Sequence, residues 1–525
     1  MLLSVLSSNA CAILPFVPYL LALGLCVHLA RNYFHNGLSK YPGPTLAHFT
    51  NLWRFWDVYK RRPDITQRAL HQKHGDVVRL GPNVLSFADP QAVKDIYGLN
   101  KGFIKSDFYL PQQSVVHGHR MASLFSMTDN KAHAAFRRHV SHAFSMSSIV
   151  DYEPAVDRIT QLFLQRTEDV YAGGAACNAT RWMQFYALDV IGEITYSEPP
   201  GVLEKNDDVD GTIRCLEKMF LYVAPVGQIP FLDLLLQKNP IYLKLSQLGL
   251  FDLTTPMARF SRRQITKRVP TFFTSSTPKP PPPSPPDLLS RFFATHFSSP
   301  SSFPPPLLHA MSTSMALAGS DTTAISLSAC LYYLLRTPSA LAALRAELAS
   351  FPFAHAQLVS FAEAQRLPYL GAVIAETFRM HPAAGLPLER IVPAPGLTIA
   401  GRYVPGGTIV GVSAWVLHRN KSVFGEDADT FRPERWLAAD APGVDVEAEK
   451  ARIRRMQGML LHFGAGSRTC IGKNISLLEI NKLIPALLRN FEISLANPKK
   501  EWKLVNAWFV KPSNFDIVLT PKEKA

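Results

Sequence analysis

The sequence has few cysteines, and no two of them are close together. The chain has 525 residues and six cysteines, and it contains no Cys-x-x-Cys motif. Neither a zinc knuckle nor a small disulfide-stabilised scaffold is therefore supported. Charged residues make up only 18% of the chain and apolar residues 47%, which excludes a disordered, charge-rich protein. Only one long apolar run occurs, near the N-terminus, so the chain is not a polytopic transporter.

The sequence also lacks runs of basic residues, although basic residues are in excess. Lys and Arg number 55 against 41 Asp and Glu, which gives a formal net charge of +14. Nucleic-acid binding favours clustered basic residues, and these are dispersed, so we predict no nucleic-acid partner. Anionic lipid headgroups or an acidic protein partner account for the same excess.

The first 30 residues contain no Asp, Glu, Lys or Arg. Residues 10–30 are nearly all apolar, and a helix of about 20 apolar residues spans a bilayer. Basic residues follow from Arg31 onward, which predicts a cytosolic location for the rest of the chain. A cleaved signal peptide is the alternative, but the segment has no positively charged start and is long for one. We therefore predict a retained, single-pass membrane anchor at 1–30.

Proline divides the chain after this anchor. Residues 31–45 form a basic linker that ends in the stiff sequence Tyr41-Pro-Gly-Pro, ahead of one globular body at 46–525. Within the body, the proline-rich segment 269–306 predicts a surface connection. Apolar residues at helical spacing predict mostly helix, and a hairpin signal at 75–90 indicates some sheet. The predicted fold class is mainly α with a smaller β region (α+β).

One cysteine lies in a glycine-rich loop, Phe463–Gly472, which reads FGAGSRTCIG. Such a loop next to a helix N-terminus and to Arg468 is expected to favour the thiolate of Cys470. One thiolate cannot build a zinc site, but it can be the axial ligand of haem iron. The same residues partly match a phosphate-binding loop and a dinucleotide-binding turn, and their glycine spacing fits neither.

This loop resembles the haem-binding loop of the cytochrome P-450 family, Phe-x-x-Gly-x-Arg-x-Cys-x-Gly, at every defined position. Three further motifs appear in the family's order, and the resemblance extends over nearly all of the chain from Tyr41 onward. The segments KSDFY and HAFSMS are most similar to membrane-bound fungal enzymes of secondary metabolism, the pisatin demethylase-like group. The resemblance implies the cytochrome P-450 fold with an N-terminal transmembrane helix. It also implies haem b, iron protoporphyrin IX, with Cys470 as the metal ligand.

The second motif, Ala-Gly-Ser-Asp-Thr-Thr at 318–323, lies in a long apolar helix pattern at 307–336. Polar groups in such a helix are costly unless they are used or satisfied, and Gly319 is expected to permit a local opening of the helix. From the residues alone, a Thr bonding back to a carbonyl one turn earlier is the simpler interpretation. The resemblance makes this the oxygen-activation segment. Thr322 would then hydrogen-bond dioxygen or water, and Asp321 would relay protons.

The remaining motifs supply charged residues around the cofactor. Glu376 and Arg379 can pair on one helix face, and the resemblance joins them to Arg435 of the segment FRPERW as a structural network that holds the Cys470 loop. Haem propionates require charge-assisted partners, and the family pattern assigns them to arginines. Arg138 is the alternative to its neighbour Arg137. The residues implied to bind the cofactor are His133, Arg137, Arg390, Phe463, Arg468 and Cys470.

The leading interpretation is a haem-thiolate monooxygenase of the endoplasmic reticulum membrane with a cytosolic catalytic body. It would insert one oxygen atom from O2 into a small apolar molecule of fungal secondary metabolism. Electrons would come from NADPH through a flavin-containing cytochrome reductase. Candidate cavity residues lie at 103–127 and 311–318, where Phe108, Tyr109 and Phe125 suggest an aromatic lining. Two alternatives stay open: an isomerase or dehydratase that does not use O2, and a non-enzymatic membrane haem-binding protein.

Overall fold

Helix is the main secondary structure of the chain. The structure, a computed structural model, describes residues 16–523 except 117, 172, 253, 274–285, 356 and 440–444. The first α-helices are α1 (Val17–Tyr33), α2 (Leu52–Tyr59), α3 (Pro63–His74), α4 (Pro90–Tyr97), α5 (Asn130–Val140), α6 (Met146–Tyr171), α7 (Ala179–Tyr196), α8 (Val202–Lys205), α9 (Thr212–Val226), α10 (Phe231–Leu235) and α11 (Pro240–Gln247). The later ones are α12 (Pro256–Phe273), α13 (Leu288–Ser298), α14 (Pro305–Arg336), α15 (Pro338–Ser350), α16 (Phe361–Ala364), α17 (Pro368–Met380), α18 (Ala414–Leu417), α19 (Lys421–Phe424), α20 (Val446–Gln457) and α21 (Lys473–Asn490).

The strands are short and form small sheets. They are β1 (Val77–Gly81), β2 (Val84–Phe87), β3 (Ile104–Lys105), β4 (Ser114–Val116), β5 (His119–Met121), β6 (Cys177–Asn178), β7 (Arg390–Ile391), β8 (Gly396–Ile399), β9 (Arg402–Pro405), β10 (Ile409–Val412), β11 (Phe491–Leu495), β12 (Lys503–Ala507), β13 (Phe509–Ser513) and β14 (Asp516–Pro521). The largest sheet has the order β1-β2-β10-β7-β3, with β2 and β10 parallel. The hairpin predicted at 75–90 is confirmed as β1 and β2. The fold is thus mainly helical with a smaller sheet region, as predicted.

Helix α14 is the central element of the fold. It begins with prolines in its first turn. It ends at Arg336, because Thr337 precedes Pro338 and a residue that precedes proline disfavours the helical conformation. It packs most extensively against α7. At Gly319 a side-chain Cβ would lie 2.6 Å from Cγ1 of Ile191, so this glycine permits close packing. The helix is unbroken there, and the expected local opening at Gly319 is therefore wrong.

The interior has two main cores. The larger core lies among the helices, chiefly α6, α7, α14 and α21, and the smaller one packs around the largest sheet.

The segment 269–306, which we predicted to be a surface connection, contains α13, and its residues 305–306 begin α14. Phe292 and Phe293 on one face of α13 belong to the larger core, so the prediction is wrong over 288–298. Residues 274–285, with half of the prolines of this segment, lie outside the described residues.

The N-terminal part of the structure is helix α1, which is exposed along nearly its whole length. Within the part of the chain that the structure describes, no helix is both long and apolar enough to span a lipid bilayer. The predicted anchor at 1–30 includes residues 1–15, which lie outside the described residues.

Candidate functional site

A cavity of about 790 Å³ lies between α14, the Cys470 loop and the hairpin β12-β13. It brings together most of the predicted site residues from four distant parts of the chain. Those that line it are His133, Arg137, Thr322, Arg390, Phe463, Arg468 and Cys470. Asp321 is not among the lining residues, and the predicted network residues Glu376, Arg379 and Arg435 lie behind the wall.

The far wall of the cavity is apolar and aromatic. Tyr109 and Phe125 line it as predicted, whereas Phe108 packs behind them against Trp508, with ring centroids 4.9 Å apart. Trp508 itself lines the cavity at the turn of β12-β13, and its φ of +76° is unusual for a residue with a side chain. The sequence analysis did not identify this hairpin as part of the site, because its residues are far from every motif.

The Cys470 loop folds as a tight turn. Gly464 and Gly466 have positive φ, and a side chain at Gly466 would collide with the carbonyl oxygen of Tyr97. The Cys470 N–H donates to the carbonyl oxygen of Phe463 at 2.8 Å, which closes the loop around the sulfur. Cys470 is exposed, and it lines the cavity together with His133, Arg137 and Arg468.

The surrounding protein raises the pKa of the Cys470 thiol by burial. Backbone N–H groups of Gly472 and Lys473 and the charge of Arg137 act in the opposite direction without outweighing burial. These N–H groups and this charge act in the direction that the sequence analysis expects. A bound metal ion deprotonates a coordinating thiol outright.

Four basic side chains converge on one side of the cavity: Lys105, Arg137, Arg390 and Arg468. They donate to neutral oxygens; Arg137 reaches the carbonyl oxygen of Thr469 at 2.8 Å, and Arg468 reaches that of Met127 at 2.7 Å. None of the four lies within ion-pair distance of a carboxylate among the described residues. Four cations without a carboxylate are a binding site for an anion.

Lys105 was missed by the sequence analysis. Its Nζ donates to the carbonyl oxygen of Phe125 and lies 4.1 Å from the ring centroid of Tyr109. Burial, followed by the charges of Arg390 and Arg468, holds its pKa well below the usual range. The available signal was a lysine at the start of the segment KSDFY, directly after the apolar residues Phe103 and Ile104. An anion placed among these cations would stabilise the charged form of Lys105.

His133 lines the same side of the cavity. Burial, and then the charge of Arg468, lowers the pKa of its imidazole to about 3, so this ring is neutral at pH 7. It is therefore a hydrogen-bonding group and adds no fifth charge. Arg138, the alternative to Arg137, is exposed and does not line the cavity, and the structure thus distinguishes the two arginines.

Thr322 and Asp321 face different sides of α14. The hydroxyl of Thr322 donates to the carbonyl oxygen of Ala318 at 2.8 Å, the bond that the residues alone suggested. Its oxygen keeps its lone pairs for a donor in the cavity. Asp321 points toward α7, where Nε2 of Gln184 donates to its Oδ1. Burial raises the pKa of the Asp321 carboxyl.

Glu376 is the centre of a buried network behind the Cys470 loop. Its two carboxylate oxygens accept hydrogen bonds from Arg379 at 2.7 and 2.8 Å and from Arg435 at 3.0 Å, and Trp436 donates to it at 2.8 Å. Burial by itself would raise the pKa of Glu376, but the bonds and charges of the two arginines outweigh it and lower the pKa.

His418 connects this network to the cofactor loop and was also missed. Its Nε2 accepts a hydrogen bond from the N–H of Leu461 at 2.9 Å, so Nδ1 carries the proton and donates to the carbonyl oxygen of Arg379 at 3.1 Å. Burial, and then the charge of Arg419, lowers its pKa to about 3. The neutral ring therefore ties Arg379 to the start of the segment that carries Phe463.

Comparison with known proteins identifies the family. The sequence profile described as cytochrome P-450 matches residues 43–520. The chain belongs to the cytochrome P-450 family. It is similar to the cytochrome P-450 monooxygenase cicH of Emericella nidulans, with 38% identity over 489 residues, 92% of this chain and 93% of the relative.

Two further relatives are also fungal. A cytochrome P-450 monooxygenase of Aspergillus terreus is 39% identical over 472 residues, 89% of this chain and 92% of the relative. The monooxygenase mfmA of Annulohypoxylon moriforme is 33% identical over 507 residues, 95% of each chain. The family recognition is confirmed, and the protein is an oxidoreductase of the monooxygenase class. The interpretation as a non-enzymatic haem-binding protein is therefore wrong.

Cytochromes P-450 bind haem iron, and the cavity of this one fits that group. Haem carries two propionates, and the four cations without carboxylate partners provide their complement. Cys470 provides the thiol that faces the cavity, and the glycines of its loop keep the neighbouring backbone free of side chains. The residues that would hold haem are thus Cys470 at the iron and Lys105, Arg137, Arg390 and Arg468 at the propionates.

Glu479 is a further cavity residue that the sequence analysis missed. It lines the inner end of the cavity, and neither of its carboxylate oxygens has a hydrogen-bond partner among the described residues. Burial raises the pKa of this carboxyl well above the usual range, which favours its protonated form. A neutral carboxyl can donate a hydrogen bond to water at this end of the cavity.

Substitution of Glu376 tests the network behind the cofactor loop. We expect Glu376→Gln to destabilise the fold by about 3–5 kcal/mol, because Arg379 and Arg435 then carry buried charges without a carboxylate. Denaturant unfolding followed by circular dichroism, with the haem-to-protein ratio, measures both stability and cofactor retention. Glu426→Gln is the matched control, since Glu426 is 87% exposed in a surface ion pair. Equal stability of the two variants would contradict the role of Glu376.

Arg137 and Arg138 form a natural pair for testing the propionate site. We expect Arg137→Met to weaken haem retention about tenfold or more, because a hydrogen bond to a charged group contributes about 1.5–3 kcal/mol. Arg138→Met removes an equal charge from the protein surface and should change retention less than about twofold. The rate of haem transfer to an apoprotein acceptor measures the difference. Similar rates for both variants would exclude Arg137 as a propionate partner.

Proposed function

We propose that this cytochrome P-450 is a haem-thiolate monooxygenase that inserts one oxygen atom of O2 into a small apolar molecule. One observation carries the proposal: a single cavity joins a thiol, a carboxylate-free cluster of cations, a threonine hydroxyl and an aromatic wall. Haem with a thiolate ligand supplies the chemistry that activates O2 for insertion into unactivated substrates.

The side chains around the cavity have separate tasks in this reaction. The cations would hold the propionates and so orient the cofactor relative to Cys470. Thr322 accepts a hydrogen bond from water in the cavity, and so keeps a proton donor near the reacting oxygen. Asp321 lies on the other side of α14, and burial raises the pKa of its carboxyl, which favours the protonated form. Cleavage of O2 consumes protons, and a monooxygenase therefore requires such a supply.

The walls of the cavity indicate the substrate class. Tyr109, Phe125, Phe220, Trp508 and Phe509 provide an apolar, aromatic surface. A substrate bound there is held by apolar contact, with room beside the cofactor for a small molecule. The fungal relatives are consistent with a secondary metabolite of a fungus as substrate.

Electrons are proposed to come from NADPH through a flavin-containing reductase. On the cysteine side, Lys131 and Arg138 of α5 and Lys473 at the start of α21 are exposed. Arg137 of α5 reaches the Cys470 loop, so these charges lie close to the thiol. An acidic reductase surface complements such a patch and would place its electron donor on the thiolate side.

We also propose that residues 1–30 anchor the enzyme in the endoplasmic reticulum membrane, with the catalytic body in the cytosol. Helix α1 has exposed apolar side chains and no acidic residue. A second exposed apolar group lies around α10 and α11, including Phe231, Leu235, Ile241 and Leu248. Apolar surface on this scale favours contact with lipid.

The carbon monoxide difference spectrum tests the cofactor assignment. We expect the reduced protein to show the strongly red-shifted Soret band of a thiolate-ligated haem, and Cys470→Ala to lose it because no other thiol lines the described cavity. Cys215→Ala, which removes a partly buried thiol elsewhere, should keep the band. A band that survives Cys470→Ala would exclude the assigned ligand. Incorporation of isotopically labelled O2 into product then separates a monooxygenase from an isomerase or dehydratase.

Membrane association has its own test. We expect the full chain to sediment with carbonate-washed microsomes, and Leu21→Arg with Leu25→Arg in α1 to release it. A charged residue at the centre of a spanning helix costs about 2.5–3.5 kcal/mol. Leu99→Arg is the control, since Leu99 is 69% exposed on another surface. Wild-type protein in the carbonate-soluble fraction would contradict the anchor, and protection of the body from added protease would contradict its cytosolic side.

A further inference from the structure

A polar link joins the buried carboxyl of Asp321 to the protein surface. The amide nitrogen Nε2 of Gln184 donates to Asp321 Oδ1. The Nζ of Lys511 donates to Oε1 of Gln184 at 2.7 Å and to Oε1 of Glu217 at 2.5 Å. The four side chains thus form one continuous series of hydrogen bonds.

Exposure rises steadily along this link. Asp321 and Gln184 are 5% and 2% exposed, whereas the side chains of Lys511 and Glu217 are 24% and 44% exposed. Asp321 does not line the cavity, and among the described residues its side chain accepts a hydrogen bond only from Gln184. Its contact with the solvent side of the protein therefore runs through Gln184 and Lys511.

The contacts fix which way the amide of Gln184 points. Lys511 can only donate, so the oxygen of the amide faces Lys511 and the NH2 group faces Asp321. An apolar residue at 184 would leave Oδ1 of Asp321 buried without a donor, which is costly for a carboxylate. Lys511 thereby determines the orientation of the group that holds Asp321.

The two elements that carry Glu217 and Lys511, α9 and β13, also line the substrate side of the cavity. Glu217 lies on α9, which presents Phe220 to the cavity, and Lys511 lies on β13, which presents Phe509. The two rings are in contact, with centroids 4.9 Å apart. A molecule bound against Phe220 and Phe509 therefore contacts the supports of the link.

We propose that Gln184 and Lys511 are positioning residues for Asp321, and that they set its orientation and proton occupancy from the surface side of α14. The proposal rests on the proposed role of Asp321 in proton supply. The charged groups that act on Asp321 are Lys511 of β13 and Glu217 of α9, and α7 contributes the neutral Gln184. Lys511 and Gln184 favour the ionised carboxylate, and Glu217 opposes them.

Infrared difference spectroscopy of the full-length holoenzyme across pH tests the link directly. Loss of a carboxyl band in Asp321→Asn identifies the Asp321 signal. We expect Gln184→Leu and Lys511→Met to move its titration to higher pH by about one unit or more, since each removes stabilisation of the carboxylate. Glu217→Gln should move it to lower pH, and Lys511→Arg should leave it close to the wild-type position.

The matched control is Lys503→Met, which removes an exposed lysine from β12 of the same hairpin. It should leave the Asp321 titration unchanged. Lys511 is partly exposed, so Lys511→Met keeps the test available even where Gln184→Leu fails to fold. An unchanged titration in Lys511→Met, or equal shifts in Lys511→Met and Lys503→Met, would overturn the proposal.

A functional readout separates this proposal from the proposed function. With reductase, NADPH and O2, peroxide formation takes two electrons and two protons, whereas reduction to water takes four of each. We expect the peroxide released per NADPH to rise several-fold in Asp321→Asn, Gln184→Leu and Lys511→Met. An effect in Asp321→Asn alone would overturn the positioning roles and keep the proposed function. No effect in Asp321→Asn would reject its role in proton supply, and with it this proposal.

Discussion

The cofactor cavity depends on a buried carboxylate that it does not contain. Glu376 neutralises Arg379 and Arg435 where neither side chain reaches water, and Arg379 is tied through the neutral ring of His418 to the segment that leads to Phe463. Removal of one partner from such a group costs more than its formation contributes, because the remaining charges stay buried. The position of the Cys470 sulfur therefore depends on an ion network whose residues all lie outside the Cys470 loop.

On the cavity side, by contrast, the positive charges have no carboxylate that neutralises them. Lys105, Arg137, Arg390 and Arg468 converge without a carboxylate, and burial already lowers the pKa of Lys105. Like charges that the fold places together repel one another, and a bound ligand of opposite charge relieves this repulsion. The propionates of haem carry that opposite charge. For that reason we expect haem binding to increase the folding stability of this enzyme. The neutral state of His133 limits the repulsion among the four cations.

Helix α14 directs two side chains that are adjacent in sequence, Asp321 and Thr322, to different sides. Thr322 faces the cavity, whereas Asp321 faces α7 and the route to Lys511 and Glu217. Consecutive residues of a helix point about 100° apart, so one turn can serve both the reacting side and the solvent side. Helix α14 is unbroken at Gly319, which packs closely against Ile191, so Asp321 and Thr322 keep their different directions. The arrangement lets a buried acid be controlled from the surface without opening the cavity to water.

The sequence by itself determined the family, the helical character, the cysteine that faces the cavity and most of the cationic residues, because short motifs with fixed spacing carry them. It did not determine which residues of distant elements complete the site. Lys105, His418, Glu479, Gln184 and the hairpin at Trp508 acquire their roles only through contacts between segments far apart in the chain. The core position of α13 within a proline-rich segment, the raised pKa of the Cys470 thiol and the separation of Asp321 from the cavity were likewise decided by tertiary structure. Burial and charge partnership are properties of the packed molecule, and local sequence does not encode them.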